Sequence, residues 1–173
     1  MSNKMPEKLI NFRVYKDGND LLGVADVDLP DLEAMTDTIK GAGIAGEVES
    51  PVLGHFGPMP MTINWRTVTG NTMALAQPKS HQLELRAATQ NYDSAAGEYS
   101  TGSQKVVVKA TPKKTALGKL DVGTKQDSGS EFECNYIKIW LDGQEKLEID
   151  KYNFICVIDG VDVLADVRKA LGL

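Results

Sequence analysis

Apolar residues in this chain recur with a period of two, and Asp-Gly pairs punctuate the recurrences. That combination restricts the fold more than any other feature. Met61, Ile63 and Trp65 alternate with Thr62, Asn64 and Arg66. Leu83, Leu85 and Ala87 alternate with Glu84 and Arg86 in a segment running from Gln82 to Tyr92. A strand sends alternate side chains to opposite faces, so each segment reads as a half-buried strand. Asp17-Gly18 separates the run Ile10–Tyr15 from Leu21–Leu29, and Asp142-Gly143 separates Tyr136–Leu141 from Lys146–Ile149. Asp and Gly tolerate the positive φ that two-residue hairpin turns demand, so both pairs predict hairpins. Val106-Val107-Val108 predicts a strand over 104–111 covered on both faces, and Ser94–Glu98 a hairpin tip before it.

Helical signals are few. Asn71–Gln77 reads as a short helix capped by Asn71 and stopped by Pro78. A second helix is predicted from Val161 to about Leu171, with Leu164, Val167 and Leu171 on one face and Gly172 ending it. Asp162 and Asp166 lie early in it, and Arg168 and Lys169 late, which suits the helix dipole. The fold class is therefore mainly β: a sandwich or barrel with a short flanking helix and a C-terminal helix. With 173 residues, 42% of them hydrophobic, residues 1–173 form one domain able to bury a core. Residues 1–7 read as an N-terminal arm, and the lysine-rich stretch 111–130, with its three glycines, as a long loop. No apolar run approaches the ~20 residues of a membrane-spanning helix, and the N-terminus lacks the apolar stretch of a secretory signal, so folding in a cytoplasm is expected.

Enzyme and cofactor chemistry finds no support. Gly41-Ala42-Gly43-Ile44-Ala45-Gly46 matches G-x-G-x-x-G, but no strand–helix context surrounds it, and Glu47 and Glu49 would repel phosphate. It reads better as a loop where backbone turns sharply or approaches another chain. Asp17-Gly18-Asn19-Asp20 opens like a calcium loop, but Leu21 and Leu22 follow where a ligand and a glycine are needed. Asp26, Asp28 and Asp31 read as a wetted surface. Cys134 and Cys156 sit in apolar segments without metal-ligand spacing, and His55 and His81 are isolated. No G-x-S-x-G elbow occurs. No catalytic residue, metal or cofactor is expected.

Charge is unevenly placed. Asp17 to Glu49 holds nine acids and one base, whereas Lys105 to Lys125 holds six lysines and one acid. The segments are either two solvated faces or complementary poles suited to contact between copies. The net charge of −5 speaks against a dedicated nucleic-acid binder.

The C-terminal block adds specificity. Tyr136–Gly143 leads into Leu147-Glu148-Ile149-Asp150, then Asn153, Ile158–Asp162 and a closing helix ending Leu171-Gly172-Leu173. Upstream lie Leu29-Pro30, a polar strand and the Gly41–Gly46 loop. In this order, over roughly residues 8–173, the chain resembles the major tail tube proteins of contractile-tailed bacteriophages and of phage-tail-like bacteriocins.

The resemblance implies a non-enzymatic subunit that forms hexameric rings. Strands of neighbouring copies join into one lumen-lining barrel, and rings stack into a tube inside a contractile sheath. Partners implied are other copies of the chain, the sheath, baseplate and tail-terminator proteins, and, in the lumen, the tape-measure protein and transiting DNA without specific binding. Such a subunit assembles in the host bacterial cytoplasm and ends in a virion tail or tail-like particle. Residues implied in subunit contact are Gly41, Gly43 and Gly46 at the bend of a long hairpin, its acids Asp31, Glu33, Asp37, Glu47 and Glu49, and the basic pair Lys113 and Lys114. Six copies carry roughly −30 per ring, which favours a wall that DNA does not stick to. Alternatives are the tube of a DNA-free bacteriocin or a type VI-like system, and, from another class, a monomeric β-barrel holding a small ligand in an apolar cavity.

Overall fold

The computed structural model describes residues 3–21 and 23–173. Met1 and Ser2 of the expected arm, and Leu22 of the expected Leu21–Leu29 strand, lie outside the described residues. In chain order the elements are β1 (Lys4–Lys16), β2 (Asn19–Asp20), β3 (Val24–Asp28), β4 (Ala34–Lys40), β5 (Glu47–Phe56), β6 (Pro60–Trp65), α1 (Gly70–Leu75), β7 (His81–Asp93), β8 (Glu98–Ala116), β9 (Ser128–Leu141), β10 (Gln144–Asp150), β11 (Ile155–Ile158), β12 (Val161–Asp162) and α2 (Ala165–Leu171). The Asp142-Gly143 hairpin forms as predicted, whereas after Asp17-Gly18 only Asn19–Asp20 pair back on β1, and Val24–Asp28 of the expected Leu21–Leu29 partner pair with β6 instead. Asp17 and Gly18 take φ of 51° and 79°, and Asp142 and Gly143 take 50° and 77°, the paired positive φ of a tight hairpin turn. Asp159-Gly160 makes a third such turn, joining β11 to β12.

The main sheet runs β12-β11-β10-β9-β8-β7-β1-β2, all antiparallel, and a second branch leaves β9 through β6 to β3. One edge of β9 pairs with β8; its other edge pairs first with β6 (Ser128–Glu133) and then with β10 (Tyr136–Leu141). Between these halves the β8 register skips Asn135, a bulge. Phe132 and Cys134 point into the core before it and Ile137 after it, so the bulge reverses which parity is buried. The β3–β6 branch thereby closes over the inner face of β1, β7 and β8. Met59, Met61, Ile63 and Trp65 pack there with Val14, Leu83, Val106, Val108 and Phe132. The Trp65 indole N–H donates to Ser130 Oγ at 3.0 Å, satisfying the one polar atom of the largest core side chain. The sheet ends in free edges, so a single chain is an open sandwich and not a closed barrel.

Several boundaries differ from expectation. Lys4–Glu7 is not a detached arm; it pairs with the end of β7. The long loop at 111–130 shrinks to 117–127, because Thr111–Ala116 continue β8 opposite Gly129–Glu133, with a bulge accommodating Pro112, which has no N–H to give. β8 is covered on one face only: Val106 and Val108 are buried, but Val107 lies half-buried between Glu84 and Lys138 on the outer face. α1 is capped by Thr69, not Asn71; the Thr69 and Thr72 hydroxyls each accept the other's backbone N–H, a capping box. α2 begins at Ala165, because Val161-Asp162 turn back to pair with β11. Leu164 and Val167 face the core, and Leu171 stays exposed. Gly172 ends the helix in the left-handed conformation, as its sequence position implies.

His81, at the start of β7, is buried, with Nε2 at 3.1 Å from the Gln77 carbonyl oxygen. Burial holds its pKa below the usual histidine value, and Lys16 and Lys79 push the same way. A depressed histidine pKa means that below about pH 6.5 the unfolded chain binds a proton that the folded chain resists. Stability from this site is therefore complete above about pH 6.5 and is lost as pH falls through the folded pKa. We predict that Tm declines between about pH 7 and pH 5, and that His81→Gln flattens that decline in thermal scans.

Candidate subunit interface

β4 and β5 form a two-stranded sheet separate from the main one. Directly opposed residues share a face, so the register sorts the hairpin into two surfaces. Thr36 faces Pro51, Thr38 faces Glu49, and Lys40 faces Glu47; there the Thr36 hydroxyl donates to Glu49 at 2.7 Å and Lys40 lies 3.7 Å from Glu47. The other surface holds Ile39 against Val48 and Asp37 against Ser50, and Ile39 and Val48 are about half exposed. Gly41, Gly43 and Gly46 make the tip, with φ of 135°, 88° and 112°, conformations that β-carbon-bearing residues avoid. A Cβ at Gly43 would meet nothing within 4 Å, so it is the backbone conformation that calls for glycine there. At the base the chain is pinned. Gly54 packs so closely on Leu164 that an added Cβ would lie 2.6 Å from its side chain, and the Gly57 N–H donates to the Glu33 carbonyl.

The hairpin is thus fixed at its root and uncovered along its length. A lone two-stranded sheet is marginal in water, and one that exposes an apolar pair such as Ile39 and Val48 gains stability when another surface covers it.

The structure gathers Asp37, Glu47 and Glu49 with the three glycines on this one hairpin, while Asp31 and Glu33 precede it. Lys113 and Lys114 lie apart, near the end of β8. The charge segments behave differently once folded. Five of the six lysines between 105 and 125 sit beside carboxylates of their own chain: Lys105 with Glu84, Lys113 with Glu133, Lys114 with Glu131, Lys119 with Asp121 and Lys125 with Asp127. The sixth, Lys109, lies over the Tyr136 ring. Among the described residues, the acidic segment has only two such pairs, Asp20 with Arg13 and Glu47 with Lys40. The acidic surface is therefore the uncompensated one.

Sequence reasoning missed the apolar stripe of the hairpin, because Ile39 and Val48 are single apolar residues among acids and threonines. It also missed Leu120 and Val122, which stand almost fully exposed in the loop 117–127. The apolar space of the sandwich is an open groove of about 240 Å³ lined by residues including Leu9, Phe12 and Leu85. No group of three or more His, Cys, Asp or Glu among the described residues could hold a metal ion.

An open β-sandwich with free strand edges and an uncovered hairpin has the form of a subunit whose surfaces suit covering by other chains. The comparisons agree. Residues 6–172 match the family model described as phage tail tube protein FII, and the chain belongs to that family. It is 31% identical over 180 residues to the tail tube protein of Escherichia phage P2, covering 98% of this chain and 99% of that one. Among solved structures it resembles the sheath/tube terminator of an extracellular contractile injection system, PVC, in the extended state, with a TM-score of 0.54, 13% identity, and coverage of 79% of this chain and 97% of that one. The sheath-tube complex of such a system also matches, with a TM-score of 0.48, 14% identity, and coverage of 75% and 87%. The chain is a structural tail component and not an enzyme.

The hairpin geometry predicts a measurable change on association. Amides of β4 and β5 should exchange with solvent quickly in the isolated subunit and at least about 100-fold more slowly in assembled particles, read by hydrogen-exchange mass spectrometry.

Proposed function

We propose that this chain is the tube subunit of a contractile injection tail. Six copies close into a ring, rings stack into a hollow tube within a sheath, and the tube carries DNA and crosses the target envelope when the sheath contracts. The full-length match to the tail tube family carries this reading. Baseplate and terminator proteins bound the tube, and the tape-measure protein and DNA occupy its lumen without specific binding. Assembly takes place in the host cytoplasm.

The free edges of the sandwich fit such an assembly. A long unpaired edge promotes uncontrolled aggregation unless something covers it, and joining strands between copies removes the edge. Ring-on-ring stacking is a head-to-tail contact that does not close, which yields a filament. The β4–β5 hairpin, with Asp31, Glu33, Asp37, Glu47 and Glu49 on and before it and Gly41, Gly43 and Gly46 at its tip, reaches a neighbouring subunit. Lys113 and Lys114 serve the stacking contact.

Negative-stain microscopy of the purified protein at high concentration tests the reading directly. Rings or hollow tubes are expected, and a protein that stays monomeric at every concentration overturns it. Gly43→Val places a β-branched residue at positive φ, a strain of about 1–3 kcal/mol confined to the tip. It is expected to lower tube yield at least about tenfold while leaving subunit Tm within a few degrees. Lys113→Glu with Lys114→Glu should weaken stacking in a salt-sensitive way. Equal tube yield across a salt series would count against a role for the pair.

A further inference from the structure

The β4–β5 hairpin forms a sheet of its own, and its ladder is broken near the root. Ala34 pairs with Phe56 and Thr36 with Pro51, so β4 advances two residues where β5 advances five, and Val52–His55 bulge out opposite Met35. A bulge bends its strand and interrupts the ladder. Pairing at Ala34–Phe56 therefore fixes the root without fixing the direction of the arm beyond it. Among the described residues, no hydrogen bond or ion pair links residues 35–53 to a residue outside the hairpin.

What meets the bulge is the start of α2. Gly54, at φ 65°, lies in the bulge, and Leu164, immediately before α2, fills the space that a side chain there would take. An added Cβ would lie 2.6 Å, 2.7 Å and 3.1 Å from Leu164 Cδ2, Cγ and Cδ1. Leu164 is buried, yet a cleft of about 140 Å³, lined by Gly54, Phe56, Phe154 and Leu164 among others, opens beside it. Packing alone leaves Leu164 room to leave its seat.

A clasp supplies the missing constraint. The Arg168 guanidinium, one turn along α2, donates to the Phe154 carbonyl at 2.7 Å and pairs with the Asp162 carboxylate. That carboxylate also accepts the Leu164 N–H at 3.2 Å. The Arg168 hydrogen bond holds the Asp162 carboxyl below the usual carboxylate range, so the pair stays ionised at neutral pH. Phe154 stands at φ 52°, a left-handed conformation that a non-glycine residue keeps only where its surroundings hold it. One planar fork thus ties the turn before β11, the β12 strand and the helix start together.

We propose that Arg168 is a positioning residue: by clasping Asp162 and the Phe154 carbonyl it seats Leu164 in the Gly54 bulge, and that seat sets the direction in which the β4–β5 hairpin leaves the sandwich. The arm amplifies any slack at its root. From Pro51 to Gly46 it spans ~16 Å at ~3.3 Å per residue, so a swing of about 20° moves the tip by roughly 5–6 Å, enough to break side-chain contact. A braced arm meets a neighbouring copy already ordered, which lowers the entropy cost of association. That consequence rests on the tube reading; the brace itself belongs to the single subunit.

Spin labels at Ile44→Cys on the tip and Leu141→Cys at the end of β9, both exposed positions, report the direction of the arm in the full chain diluted with unlabelled protein. Cys134 and Cys156 are buried and stay unlabelled. Double electron–electron resonance should give one narrow distance distribution. Arg168→Ala should broaden it at least about twofold, as a single state becomes an ensemble. Arg168→Lys keeps the charge but offers one point donor for two partners, and should recover part of the narrowing. Val108→Ala, a core cavity in β8 outside the clasp, should lower Tm by several degrees and leave the width unchanged. A wild-type width in Arg168→Ala, an equal broadening in Val108→Ala, or a wild-type distribution already broad overturns the brace. If Arg168→Ala does not fold, Arg168→Lys decides: broadening supports the brace and an unchanged width overturns it. The concentration needed for tube formation should rise at least about tenfold in Arg168→Ala. If distances broaden while tubes form as before, the brace stands and the hairpin's part in the tube falls. If wild-type protein forms no tube, the tube reading falls and the distances still judge the brace.

Discussion

β9 divides one edge between two partners. Its first half bonds to β6 and its second to β10, while β8 follows its other edge throughout. That division makes a sandwich from what would otherwise be a single flat sheet. The bulge at Asn135 lets the buried parity change where the partner changes, so Phe132 and Ile137 both face apolar surroundings although they are an odd number of residues apart. The core under Trp65, the groove at its open side and the outer position of the β4–β5 hairpin all depend on this branch point.

Much of the β architecture was legible because period-two alternation and Asp-Gly turns are local signals. Met61–Trp65, Leu83–Ala87 and the Asp142-Gly143 hairpin appear where the pattern places them; the Asp17-Gly18 turn also forms, but the strand after it pairs with distant β6. The misplaced boundaries share a different cause, which is pairing with distant residues. Lys113 and Lys114 look like loop residues until Glu133 and Glu131 stand across from them. Thr111–Ala116 then continue a 19-residue strand that no local window shows. Val161-Asp162 look helical until Asp159-Gly160 turn them back onto β11. The glycines of the candidate site were legible from their spacing. The apolar stripe beside them was not, because cross-strand register decides which single residues stand together.

The same lesson applies to charge. In sequence the acidic and basic segments look like equal and opposite poles. In the fold the lysines lie on an outer face beside Glu84, Glu131 and Glu133 and over the rings of Trp140 and Tyr136. Their long stems cover sheet surface while their heads are partly neutralised. The acids near the hairpin lack such company, so the two segments are not the equal and opposite poles that the sequence suggests.

Cys134 and Cys156 lie deep in the core, unbridged, and burial pushes the Cys134 thiol up to about 12. Thiols react as thiolates, so neither is a ready partner for oxidants or for exchange. The subunit carries no cross-link that a reducing interior would have to leave open, and no exposed thiol that an oxidising exterior would close. The subunit therefore keeps the same covalent form in reducing and oxidising surroundings, and its dimensions depend on packing alone.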